Sequence, residues 1–298
     1  MRDDNFFDPY RWLSTEERDR FIESYREFLA TRDGQPDPET RTLDRRELRM
    51  RAIEESPVVW PGELDRQAFE RCLAGEQGVA IDPRTEWAVA AAKANEGESY
   101  GVDIELRRFA RQGMLPGLTA PDILLSIYMQ ESYHCRILVE LCRTCGITFA
   151  PRPPAWTNRA LVGLIGALPP VVRWIPVMAG EAVGAAVFRM LYERVSLFAG
   201  HEPARARLAQ LLREIWIDEV LHVAFLRTQV GRLGLLLVRA MVPLVASSVL
   251  ADLQPLRGIG VTAREIRASL KPGLRLPEEV AWLEATPPVL AEGVIPQA

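Results

Sequence analysis

Glu214-Ile215-Trp216-Ile217-Asp218-Glu219-Val220-Leu221-His222 carries a carboxylate and an imidazole three positions apart, at Glu219 and His222. The same Glu-x-x-His spacing occurs once earlier, in Gln130-Glu131-Ser132-Tyr133-His134. The chain has three histidines, and the two pairs use two of them. On a helix, positions i and i+3 share a face, so each pair aims both groups at one point. Leu212, Ile215, Trp216, Val223 and Leu226 share the side of the second pair. Leu124, Ile127, Tyr128, Leu138 and Leu141 share that of the first. A carboxylate set in an apolar stripe must be paired, protonated or bound to a cation. Two such faces, each also carrying an imidazole, favour the cation. The two stretches read as facing halves of one metal site inside a helical bundle.

The bulk properties agree with an ordinary folded chain. The 298 residues suffice for a large core, 48% of them are hydrophobic, and the net charge is −4. Neither nucleic acid nor an anionic membrane is an expected partner on that balance. The charged start Met1-Arg2-Asp3-Asp4-Asn5 lacks an apolar signal region, so a cytoplasmic location is expected. Four cysteines do not make a disulfide framework, and Cys142 and Cys145 have no second pair with which to complete a zinc site.

Working outward, an all-α architecture is expected: a helical extension over 1–80, a bundle over 81–232 and C-terminal helices with a tail over 233–298. Ser14-Thr15-Glu16-Glu17 signals a helix start, and short helices are expected at 43–54 and 64–74. This extension carries no chemistry that the sequence alone defends. In the bundle, helices are expected over 85–112, 120–145, 179–199 and 204–230, with 113–119 as a loop. An apolar insertion at about 150–178 reads as buried connecting helices, because prolines and Arg173 interrupt it. The apolar stretch 233–250 holds Arg239 and Pro243 and reads as a core helix or an oligomer contact, with membrane association as the alternative. The tail from Pro287 is expected to be loose.

A two-metal carboxylate site in a four-helix bundle takes a lone Glu from each of two helices and Glu-x-x-His from each of the other two. Glu181 lies 19 residues before the turn at Gly200 and Glu219 lies 19 after it, so the two meet at one level of an antiparallel pair. Gly180, Gly184, Ala185 and Ala186 leave room beside Glu181. For the first half, Glu98 lies 33 positions before Glu131 and sits between Gly97 and Gly101; Glu96 and Glu105 are the alternatives. Asp218 is the candidate acceptor for a ligand histidine's ring N–H. Tyr128, Phe188, Tyr192 and Trp216 are candidate walls of an apolar substrate pocket.

Together these motifs resemble the ferritin-like dinuclear iron carboxylate superfamily, over about residues 85–230. That superfamily includes multicomponent hydroxylase subunits, acyl desaturases, ribonucleotide reductase small subunits and rubrerythrins. The Asp218-Glu219-x-x-His222 form after a lone Glu181 is most similar to the p-aminobenzoate N-oxygenase group. That group carries a further histidine one turn before the second Glu. Here that position is Ile215, so six ligands are implied: Glu98, Glu131, His134, Glu181, Glu219 and His222. The resemblance implies two iron ions, or manganese or a mixed pair, with O2 as co-substrate and a small organic molecule as substrate. It further implies an O2-dependent oxidase or oxygenase, of the amine N-oxygenating, C–H hydroxylating or desaturating kind. Electrons are expected from a separate ferredoxin or reductase, since no Rossmann or flavin fingerprint is present. A homodimer is expected. An iron-handling ferroxidase and a non-catalytic helical scaffold are the competing classes.

Overall fold

Ser14 opens the first helix as its sequence foretells. Its hydroxyl accepts from the Glu17 N–H at 3.2 Å, and the Glu17 carboxylate accepts from the Ser14 N–H at 2.7 Å. The computed structural model describes residues 6–283 except 38, 77, 113–119 and 272, and of residues 102–112 and 170 the backbone alone. The expected loop at 113–119 and the tail from Pro287 therefore lie outside the described residues, as does the side chain of Glu105.

The described chain is overwhelmingly helical. Helix α1 (Thr15–Arg32), α2 (Asp44–Glu55) and α3 (Arg66–Leu73) precede four long helices. These are α4 (Pro83–Gln112), α5 (Pro121–Thr144), α7 (Pro170–Glu193) and α8 (Glu202–Gln229), with the shorter α6 (Trp156–Ala167) between α5 and α7. Helices α9 (Arg232–Asp252), α10 (Pro255–Gly258) and α11 (Ala263–Ser269) follow. Four two-residue strands make two small antiparallel ladders. β1 (Phe6–Phe7) pairs with β4 (Leu274–Arg275), tying the two ends of the described chain together, and β2 (Pro36–Asp37) pairs with β3 (Thr42–Leu43).

The long helices pack α4 on α5, α5 on α8 and α8 on α7. Asn95 Nδ2 donates to Cys135 O at 2.6 Å and fixes the level of α4 against α5. Trp87 Nε1 donates to Leu191 O at 3.0 Å, bringing the start of α4 to the end of α7. One hydrophobic core runs through all four and continues into α1, α3, α9 and α11. Cys142 and Cys145 are buried, unbridged members of it.

Two expectations need correction. Helix α7 begins at Pro170 rather than near 179. Pro170 suits a first helical position, and the carbonyl that Pro176 leaves free belongs to the exposed Val172, so a proline in the second turn is tolerated. The helix then tightens into a 3-10 turn at Arg194–Phe198 before Gly200 reverses the chain with φ +100. The connecting helix α6 is not buried: none of its twelve residues is.

Candidate metal centre

The four long helices bring all six expected side chains to one place. Ligand-capable atoms of Glu98, Glu131, His134 and Glu219 lie within 4.8 Å of one another, and so do those of Glu131, Glu181, Glu219 and His222. Glu131 and Glu219 belong to both groups. Each group thus joins one lone carboxylate, one imidazole and two shared carboxylates, drawn from α4 and α7 for the lone groups and α5 and α8 for the pairs. Glu98 is the α4 acid that reaches the cluster among the described side chains.

Both imidazoles are fully buried. Each turns its Nε2 outward and its Nδ1 inward. His134 Nε2 lies 2.9 Å from Asp218 Oδ2; a carboxylate only accepts, so the nitrogen donates. His222 Nε2 lies 2.9 Å from Gln130 Oε1. Gln130 Nε2 donates to Asp33 Oδ2 at 2.7 Å, which leaves its oxygen to accept from His222. In the neutral ring each Nδ1 would therefore turn a lone pair toward the cluster, and in the protonated ring it turns an N–H toward the carboxylates there. His134 Nδ1 is 3.2 Å from Glu131 Oε2 and 3.5 Å from Glu219 Oε1; His222 Nδ1 is 2.9 Å from Glu131 Oε1 and 3.4 Å from Glu181 Oε2.

These residues fit a pair of cations. His134 Nδ1 and Glu131 Oε1 are buried without an aligned hydrogen-bond partner, although carboxylate oxygens lie near the first and His222 Nδ1 lies near the second. Four carboxylates balance the charge of two divalent ions, and mixed carboxylate and imidazole donors suit iron or manganese. Gly184 supplies the space: a Cβ there would stand 2.8 Å from Glu219 Oε2. Left to themselves the acids repel. Burial, then the neighbouring Glu131 and Glu181 carboxylates, push Glu98 well above the ordinary range. Burial, then Glu181, Glu98 and Glu131, do the same to Glu219. Burial opposes charge on His222 too, but Glu131 and Glu181 outweigh it and push the imidazole up to about 10.

Behind the cluster lies a layer that the sequence reading missed. Arg32 Nη1 reaches Asp218 Oδ1 at 2.5 Å, and Arg46 Nη2 lies 2.6 Å from Asp218 Oδ2. Arg49 Nη2 holds Asp33 Oδ1 at 2.9 Å, and Arg32 Nη2 holds Glu214 Oε2 at 2.6 Å. Three guanidiniums thus face three carboxylates around the two histidine acceptors. Asp33 can serve because Gly34 turns the chain with φ +84, a conformation in which a Cβ would collide with Asp44. The extension over 1–80, in which the sequence reading found no chemistry, therefore orients both imidazoles. Its legible signals were the Asp33-Gly34 turn, Arg46 and Arg49 at helical spacing, and Gln130 beside Glu131.

The candidate pocket residues divide differently. Tyr128 and Phe188 are buried in the core. Tyr192 and Trp216 pack ring on ring, with centroids 5.6 Å apart, and Tyr192 lies three helical turns beyond Glu181. Trp216 lies one helical turn before Glu219. A cavity of about 280 Å³ opens between α4 and α5, where Asn95, Ser99, Cys135, Arg136 and Val139 are among its lining residues. Ser99 and Cys135 follow Glu98 and His134 directly in the chain.

No known family model, curated protein or solved structure matches this chain.

Proposed function

We propose that residues 83–229 form a ferritin-like four-helix bundle holding a dinuclear iron centre. On this reading the chain is an O2-dependent oxidase or oxygenase acting on a small organic substrate. The observation that carries it is the pair of four-residue ligand groups sharing Glu131 and Glu219. Two ions held there would supply redox chemistry toward O2 and an organic substrate. Glu98, Glu131, His134 and Glu219 would hold one ion, and Glu131, Glu181, Glu219 and His222 the other. Asp218 and Gln130 hold the ring nitrogens in the tautomer that a ligand needs. His134, Glu219 and His222 are buried in the apolar core, while Glu98, Glu131 and Glu181 are half-buried. Amine N-oxygenation is the reaction that the sequence resemblance implies, with C–H hydroxylation and desaturation as its rivals; a separate ferredoxin or reductase supplies the electrons.

Metal analysis and optical spectroscopy of iron-loaded protein, before and after reduction and exposure to O2, test this. About two irons per chain are expected, by the two-half design of such sites, with a transient visible band that Glu219→Ala abolishes. Uptake of many irons per chain would favour iron storage. No transition metal after iron-supplemented expression and reconstitution would sink the proposal.

A further inference from the structure

Two stretches of this acidic chain contain no acid at all. Residues 141–180 and 220–251 hold seven arginines and neither Asp nor Glu, although the chain has 40 acidic residues among its 298. The same stretches hold most of the exposed large apolar side chains among the described residues. On α6 these are Trp156, Leu161 and Leu164; Val171 and Val172 stand at the start of α7; Leu233, Leu236 and Leu237 stand on α9. They are well exposed: Trp156 and Leu233 each at 72% and Val171 at 78%.

Packing makes this one surface. Helix α7 packs on both α6 and α9, and the side chain of Ile175 lies 3.5 Å from the Cβ position of Gly234. The end of α6, the start of α7 and the start of α9 therefore meet. Helix α9 turns Leu235, Val238, Val242, Ala246 and Leu250 inward and is apolar on its outer face as well. Arg159, Arg232 and Arg239 are exposed around the patch, and none forms an ion pair among the described residues. Arg232 lies over the Trp12 ring at 4.1 Å.

We propose that this face binds the surface of an anionic lipid membrane, with α6 and α9 lying in the interface. Apolar side chains rimmed by arginine and tryptophan are what a headgroup boundary accepts. Two helices here, one from Val171 to Phe198 and α9, are long and apolar enough to span a bilayer. Both stay on the body: α7 lies between α8 and α9 and carries Glu181, and α9 has a buried face. The face thus lies on a membrane rather than crossing it. A second copy fits less well. A twofold contact would set this basic, acid-free face against itself, with no acid in either stretch to pair Arg159, Arg232 and Arg239.

The test is flotation of the purified full-length protein with phosphatidylcholine vesicles, with and without phosphatidylglycerol. Binding to the anionic vesicles is expected, weakening as salt rises. Leu233→Ser, Leu236→Ser and Leu237→Ser together should lower the bound fraction by roughly tenfold or more, with helix content and melting unchanged. Should that variant misfold, Arg232→Gln with Arg239→Gln serves instead and should selectively weaken binding to the anionic vesicles. Failure to float with either lipid, or equal binding by the variants, overturns the proposal. A dimer lost in the leucine variant, with no vesicle binding by the parent, assigns the face to a second copy and overturns it too.

Discussion

Asp218 shows how much one side chain outside the ligand set controls. It accepts from His134 and is gripped by Arg32 and Arg46. Asp218→Asn keeps the size and loses the charged acceptor. Removing such a partner weakens metal binding by roughly 10–100-fold, and that is the expected result of a competitive chelator titration. Wild-type affinity in the variant would show that the imidazole needs no orienting. Gly184 makes the opposite point, since its use lies in the atoms it lacks. Gly184→Ala places a methyl group 2.8 Å from Glu219 Oε2. We expect weaker metal binding with little change in metal-free stability, read by the same titration beside thermal melting.

At the scale of elements, α1 and α2 act as a clamp across the middle of α5 and α8. Arg46 is buried against Asp218 and faces the Tyr133 ring. Breaking a buried ion pair from one side costs about 3–5 kcal/mol. Arg46→Met should lower unfolding free energy by that much in urea titration; a loss under about 1 kcal/mol, the scale of a surface pair, would mean that the clamp is peripheral. The same pair sets a pH dependence. Burial alone would raise Asp218, but Arg32, Arg46 and His134 hold it well below the carboxylate range. Its contribution to stability is therefore complete above about pH 4, the unfolded value, and is lost as pH falls toward the folded value. Acid unfolding of Asp218→Asn should be less steep than that of the wild type.

For the molecule as a whole, the proposed metal binding would couple the cluster's protons to stability. Without metal, Glu98 and Glu219 hold protons well above the usual range, and both imidazoles are pushed toward the charged form. Ligation requires those protons to leave. Metal binding should therefore release protons near neutral pH, and affinity should rise with pH. Calorimetry in two buffers of different ionisation enthalpy measures the release; identical apparent enthalpies would contradict it. Binding to the native state alone also raises melting temperature with metal concentration, and the shift should disappear in Glu219→Ala.

Local spacing along the chain fixes most of the helices and the six side chains that cluster. Glu-x-x-His twice, and a turn at Gly200 midway between Glu181 and Glu219, are local periodicities that a helix converts directly into shared faces and levels. The choice of Glu98 over Glu96 rested on the small residues beside it, and the packed helices bring Glu98 into the cluster. Helix α7 was misplaced because a proline's effect depends on its position from the helix start and on the solvent near the freed carbonyl, neither of which composition reveals. Tertiary structure alone decided the rest. Asp33, Arg32 and Arg46 are far from Gln130 and Asp218 in the chain, and no spacing rule joins them. It also decided that α6 lies exposed. Composition marks a helix as apolar, but only the packing of its neighbours fixes whether protein covers it.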